Sequence, residues 1–175
     1  GEGEGTGEKI LNPVTQIYLE EGAVFTLDTA QIGGVDSTVR KTEVYMEADS
    51  KLYVMEKLMT HDSQTAVSDM TVEMNGAGSS AQIVSRSVAK GNSVQTFHPI
   101  AIGNALCHAH VQCDSIIMDK AQISSIPEIN ARDIDAQIIH EAAIGRINNE
   151  QILKLRTFGM TEEEAEAVII EDFLA

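Results

Sequence analysis

The stretch LCHAHVQCDS, residues 106–115, places Cys107, His108, His110 and Cys113 within seven positions. Thiolates and imidazoles are the ligands that zinc and iron take, provided that the side chains converge on one point. The surrounding residues are apolar and β-prone, and a strand sends alternate side chains to opposite faces. Cys107, Ala109, Val111 and Cys113 then share one face, and His108, His110 and Gln112 share the other. The four candidate ligands therefore do not meet. Ala109 and Val111 mark the cysteine face as core, where a free cysteine behaves as a small hydrophobe. Chemistry is expected elsewhere in the chain or in contact with a second subunit, and Cys107 and Cys113 stay as outside candidates for a metal.

The elements that must position such residues are strands. Residues 14–140 read as a succession of short β-like runs, with clear alternation at Met70, Val72 and Met74 and at Ala81 and Ile83. Turn residues punctuate them at Asp49, Asp62, Gly76, Gly91, Gly103, Asp119 and Asp133, twelve to sixteen positions apart. Such a step fits an antiparallel sandwich or a stack of β rungs. Aromatics make up 4% of the chain and tryptophan is missing. Rungs are favoured by that aliphatic composition, and by the scarcity of tight hairpin dipeptides outside Asn75-Gly76.

The period changes after residue 140. Asn148 with Gln151 forms a capping-box pattern that opens a helix through Ile152 and Leu155, ended by Gly159. Thr161 with Glu164 opens a second helix, whose apolar residues Ala165, Val168, Ile169 and Phe173 are spaced for one face. Three parts are expected: a flexible segment over 1–13, a β core over 14–140 and a helical domain over 141–175. The Gly/Glu alternation of residues 1–7 carries no apolar residue with which to order itself.

Charge narrows the partners. Against 12 Lys and Arg stand 27 Asp and Glu, a formal net charge of -15. Phosphate backbones and anionic lipid surfaces repel such a chain, so neither nucleic acid nor membrane is expected to bind it. No apolar run reaches the roughly 18–20 residues of a membrane span. The two cysteines lie too far apart along one strand to bond to each other, and the expected compartment is the reducing cytoplasm. GAGSS, residues 76–80, has neither the lysine nor the following helix of a phosphate loop.

The run DAQIIHEAAIGRINNEQILKLRTFGMTEEEAEAVIIEDFL closes the chain, with CDSIIMDKAQISSIPEI before it and GAGSSAQIVSRSVAKG earlier. These segments resemble the core domain of the SufB/SufD family, the scaffolds of the SUF iron-sulfur cluster assembly system. The resemblance is most specific over residues 113–174. It implies a mainly β fold, a right-handed parallel β-helix followed by a small helical domain. It further implies a scaffold that hydrolyses nothing itself, binds a SufC-like ABC ATPase through its terminal helices, and pairs with a SufB/SufD-type subunit as a homodimer or heterodimer. A transient iron-sulfur cluster is the implied cargo. On this resemblance His140 matches a histidine serving cluster formation in SufD-like members, and Glu141 a glutamate of SufB-like members. An imidazole ligates iron, and a carboxylate ligates it or moves protons. Family cysteines fall on Ala121 and Ile138, where this chain has no thiol. The implied docking residues for the ATPase are Ile152, Leu155, Phe158, Val168, Ile169 and Phe173.

Two other readings compete. Asp133 and Asp135 share a face if their segment is extended, which allows a β-helix enzyme acting on carbohydrate with paired carboxylates. A purely structural oligomerisation module is the other. His61 and His98 are expected in surface turns, and Met55, Met59, Met70 and Met74 as core filler.

Overall fold

A computed structural model describes residues 7–32 and 35–175. The strands are β1 (Ile10–Leu11), β2 (Val14–Leu19), β3 (Val24–Ile32), β4 (Ser37–Met46), β5 (Lys51–Thr60), β6 (Thr65–Met74), β7 (Ser79–Ala89), β8 (Val94–Gly103), β9 (Cys107–Ile117), β10 (Gln122–Ser125), β11 (Glu128–Ala131) and β12 (Ala136–Gly145). Two helices follow, α1 (Asn149–Arg156) and α2 (Glu162–Leu174). Every pairing is parallel, and strands alternate between a sheet built on β4, β6 and β8 and a second sheet in the order β12-β9-β7-β5-β3. The chain is thus a parallel β-helix with two walls. Val24 pairs with Lys51, Lys51 with Ser80, Ser79 with Cys107 and Cys107 with Ala136, so one full turn takes 27 to 29 residues. The punctuation at about half that interval marks the two corners of each turn.

Alternation builds the core. Along β6, Ala66, Ser68, Met70, Val72 and Met74 are buried while the residues between them are partly exposed. Stacked turns bring Val44 against Val72 and Val72 against Ala101 in one wall, and Val54 against Ile83 and Ile83 against Val111 in the other. Met46, Leu52, Met70, Met74 and Ile83 are fully enclosed between the walls. Each such side chain contributes about 1.5–3 kcal/mol by leaving water. Met70 and Met74 are core filler as expected. Met55 instead lies half-buried on the outer face.

The corners are made by left-handed residues. Asp62, Gly91 and Asp119 occupy one corner on successive turns with φ of 50°, 64° and 56°, and Gly91 N–H donates to Asp119 Oδ2 at 2.9 Å. At the opposite corner Ser50 and Ser79 are sealed inside and donate to the carbonyls of Glu47 and Gly76. Gly76 passes against the backbone of Ala48, with no space for a side chain.

Several boundaries differ from the sequence expectation. Of the segment 1–13, residues 1–6 lie outside the described residues, and Ile10–Leu11 form a short strand. The β core continues to Gly145 because β12 stays in register with β9 along its whole length. His98 lies within β8 and not in a turn. Pro99 is tolerated there because the neighbouring ladder is interrupted opposite it: β10 ends at Ser125 facing Phe97, and β11 resumes at Glu128 facing Ile100.

Both helices are capped near their expected starts. Asn148 accepts from Glu150 N–H rather than from Gln151, and Thr161 accepts from Glu164 N–H at 3.1 Å. The buried residues of α2 are Ala165, Ile170 and Leu174. Val168, expected on the inner face, is 41% exposed. The reason is where α2 rests: Ile170, Leu174 and Phe173 pack with Val88, Met59 and Ile116 on the flank of the β-helix.

Candidate functional site

β9 and β12 lie side by side as the last two strands of the second sheet. Their inward faces carry Cys107, Ala109, Val111 and Cys113 on one strand and Ala136, Ile138, His140 and Ala142 on the other. The division of the Cys/His run between two faces is as the alternation requires, with both cysteines buried and His108 and His110 outside.

His140 and Glu141 are consecutive in a strand, so they point to opposite faces and do not form a ligand pair. The register gives each a different companion. His140 sits beside Val111 and leans toward Cys113, with Nε2 3.5 Å from Sγ. Glu141 sits beside Gln112 and leans back to His110, with Oε2 3.2 Å from Nε2.

The inner contact is withdrawn from bulk solvent on one side, with Cys113 buried and His140 half-buried. Burial pushes the Cys113 thiol up to about 11, with the Ser125 hydroxyl opposing the shift by donating to sulfur at 3.9 Å. Burial also lowers the His140 imidazole below its usual value. Both effects favour the uncharged forms, a neutral thiol beside a neutral imidazole, and the tautomer of His140 sets which of them donates. A thiol and an imidazole are both donor types that iron and zinc accept, the thiol once its proton has left.

The remaining candidates separate from it. Cys107 is fully buried and continues the corner column of Ser50 and Ser79, where a Cβ on Gly103 would come within 3.0 Å of its sulfur. Packing accounts for it. Asp133 and Asp135 are in a turn, with Asp135 N–H donating to Asp133 Oδ1 at 2.8 Å, so the extended geometry needed for a carboxylate pair is not formed. His61 contacts Asp62 at 2.8 Å in an exposed corner, and His98 lies between Asp69 and Glu128 on the outer wall. Among the described residues no three His, Cys, Asp or Glu side chains form a group that could hold a metal ion.

Of the helical residues singled out, Ile152 is buried at 8% and faces inward, while Phe158 is 76% exposed and Val168 joins it on the surface. Leu155, Ile169 and Phe173 are half-buried. No described helix is long and apolar enough to cross a membrane.

One residue escaped the sequence reading. Glu56 occupies an inward position in β5, between Val54 and Leu58, and is 3% exposed. Its signal was present in the alternation of Leu52, Val54, Glu56 and Leu58. Burial raises its carboxyl above the usual range, opposed by the charge of Arg40 and a hydrogen bond from Ser68.

The family model described as SUF system FeS cluster assembly, SufBD core domain, matches residues 4–173. The chain belongs to this family. Among curated proteins it is similar to the iron-sulfur cluster assembly SufBD family protein of Methanocaldococcus jannaschii, at 28% identity over 96% of this chain and 54% of that protein. A protein of the same description from Pyrococcus horikoshii is 30% identical over 97% of this chain and 52% of its own length. One from Archaeoglobus fulgidus is 28% identical over 94% and 45%. The chain therefore spans about half the length of the curated relatives it matches. The parallel β-helix is the fold that the resemblance implies, and the family is described as one of iron-sulfur cluster assembly.

Proposed function

We propose that this chain is a non-catalytic scaffold on which an iron-sulfur cluster is built in the cytoplasm, with Cys113 and His140 as its own contribution to the ligands. The 3.5 Å contact between Cys113 Sγ and His140 Nε2 carries the reading, because it is the meeting of a thiol and an imidazole at the end of the β-helix. One sulfur and one nitrogen are two donors, and a cluster takes about four. The pair is half a site, and the other half comes from a second subunit.

The edge of β12 supports that pairing. Among the described residues its backbone pairs only with β9, so its outer edge is unpaired. Ile139 and Ile144 on this strand are 56% and 47% exposed, and Ile126, Ile129 and Ile134 add apolar surface in the same turn. An unpaired parallel edge with exposed isoleucines fits strand addition by another SufB/SufD-type chain, either a copy of this one or a different one. The SufC-like ATPase docks on the helical end, using Phe158 and Val168 with the exposed parts of Leu155, Ile169 and Phe173. Ile152 anchors α1 from beneath.

The test is capture. A SufC-like ATPase is expected to co-purify with the wild-type chain, and Phe158→Glu and Val168→Glu are each expected to lower capture at least tenfold without loss of fold. Undiminished capture by both variants would contradict the docking assignment.

A further inference from the structure

Between the two walls, on the inward side of Cys113, lies a hollow that leaves about 20 Å³ for a water-sized molecule. A single water needs roughly 10–15 Å³ on that measure, together with two to four polar partners. Glu56, Ser68, Ser85, Gln95, Cys113 and Ser125 are among the residues that line the hollow. Their hydrogen bonds are incomplete. Glu56 Oε2 accepts from Ser68 at 3.2 Å, but among the described residues Oε1 has no partner. Gln95 spends both amide hydrogens on Thr60 Oγ1 and the Val88 carbonyl, which leaves its Oε1 free to accept. Ser85 is 6% exposed and its hydroxyl has no partner among the described residues. Among the described residues the one buried side-chain polar atom sealed off without a partner is Thr29 Oγ1, so this carboxyl oxygen, amide oxygen and hydroxyl face space that a water-sized molecule can enter.

We propose that this hollow is a binding site for one ordered water, held by Glu56 and Ser85 and completed by Gln95. The register places Glu56, Ser85 and Cys113 opposite one another on β5, β7 and β9. The water extends the buried polar column from Glu56 to the thiol of Cys113, so the inner side of the candidate site is hydrated from within the β-helix while its outer side is reached at the open edge. The assignment rests on the hollow and its unpaired atoms and does not depend on the scaffold role.

Oxygen-17 magnetic relaxation dispersion counts long-lived internal waters in the folded protein. Ser85→Val and Glu56→Leu, which fill the hollow with apolar groups, are expected to lose one such water, and Glu56→Gln is expected to keep it. An unchanged count in Ser85→Val would overturn the assignment, and that variant reports even if Glu56→Leu fails to fold. Rubidium soaked into crystals of the wild-type chain distinguishes a water from a cation: an anomalous peak in the hollow would place a monovalent cation there and overturn the proposal.

Discussion

β9 and β12 hold two side-chain contacts on opposite faces of the same sheet, one residue out of step. Inside, Cys113 meets His140 where burial shifts both groups toward their uncharged forms. Outside, His110 meets Glu141 with side chains 37% and 63% exposed. The residue types resemble each other, yet the environments assign them different work. An exposed His-carboxylate contact is screened by water and contributes little, whereas a largely buried thiol-imidazole contact pairs two groups whose charged forms burial disfavours. Strand parity, more than proximity in sequence, decides which groups act together.

That contrast can be broken most severely from the core. Ile83 stacks against Val111 beneath the inner contact, and Ile83→Ala is expected to cost about 2–5 kcal/mol in chemical denaturation. A loss below about 1 kcal/mol would mean that the inner face is not packed as described. Reactivity gives the next largest difference. With its thiol at about 11 instead of near 9, Cys113 at pH 8 is expected to react with iodoacetamide roughly a hundredfold more slowly than an exposed cysteine. Reaction at the exposed rate, followed by mass spectrometry in a Cys107→Ser background, would place the thiol in solvent.

Glu56 sharpens the comparison through pH. Its folded carboxyl is raised by burial, so the protonated form is favoured in the fold. The stability linked to that proton is complete below the unfolded value near 4.5 and is lost as pH rises through the folded value. Glu56→Gln is therefore expected to gain stability relative to wild type as pH rises above the unfolded value, and to level off once pH has passed the folded value. A parallel pair of stability curves would refute the buried acid. The smallest effect belongs to the outer contact. His110→Ala and Glu141→Gln should each change stability by less than about 0.5 kcal/mol.

These differences also mark how much the sequence made legible. Alternation in β6 and β9 separated inner from outer residues, and the caps at Asn148 and Thr161 located the helices. The turn residues located the corners, but their step was half a coil, because each turn has two walls and no motif distinguishes one corner from the other. The contact of Cys113 with His140 joins residues 27 apart. It depends on the register of a parallel pair, which is set by the length of the corners and by β10 and β11 between them, and no local pattern encodes that. The pairing of His140 with Glu141 followed from a resemblance, while the parity that separates them was open to the same alternation argument already applied to Cys107 and His108. The buried face of α2 was offset because its docking partner, the flank around Val88 and Met59, lies far away in sequence.

The central claim is that Cys113 and His140, and not His140 and Glu141, act together on a metal. Anaerobic titration with cobalt(II), read by the thiolate-to-metal charge-transfer band, tests it on wild type, Cys113→Ala, His140→Ala and Glu141→Gln. The account predicts the band in wild type and Glu141→Gln, its loss in Cys113→Ala, and weakened binding in His140→Ala. Cobalt binding that survives Cys113→Ala and disappears in Glu141→Gln would contradict it.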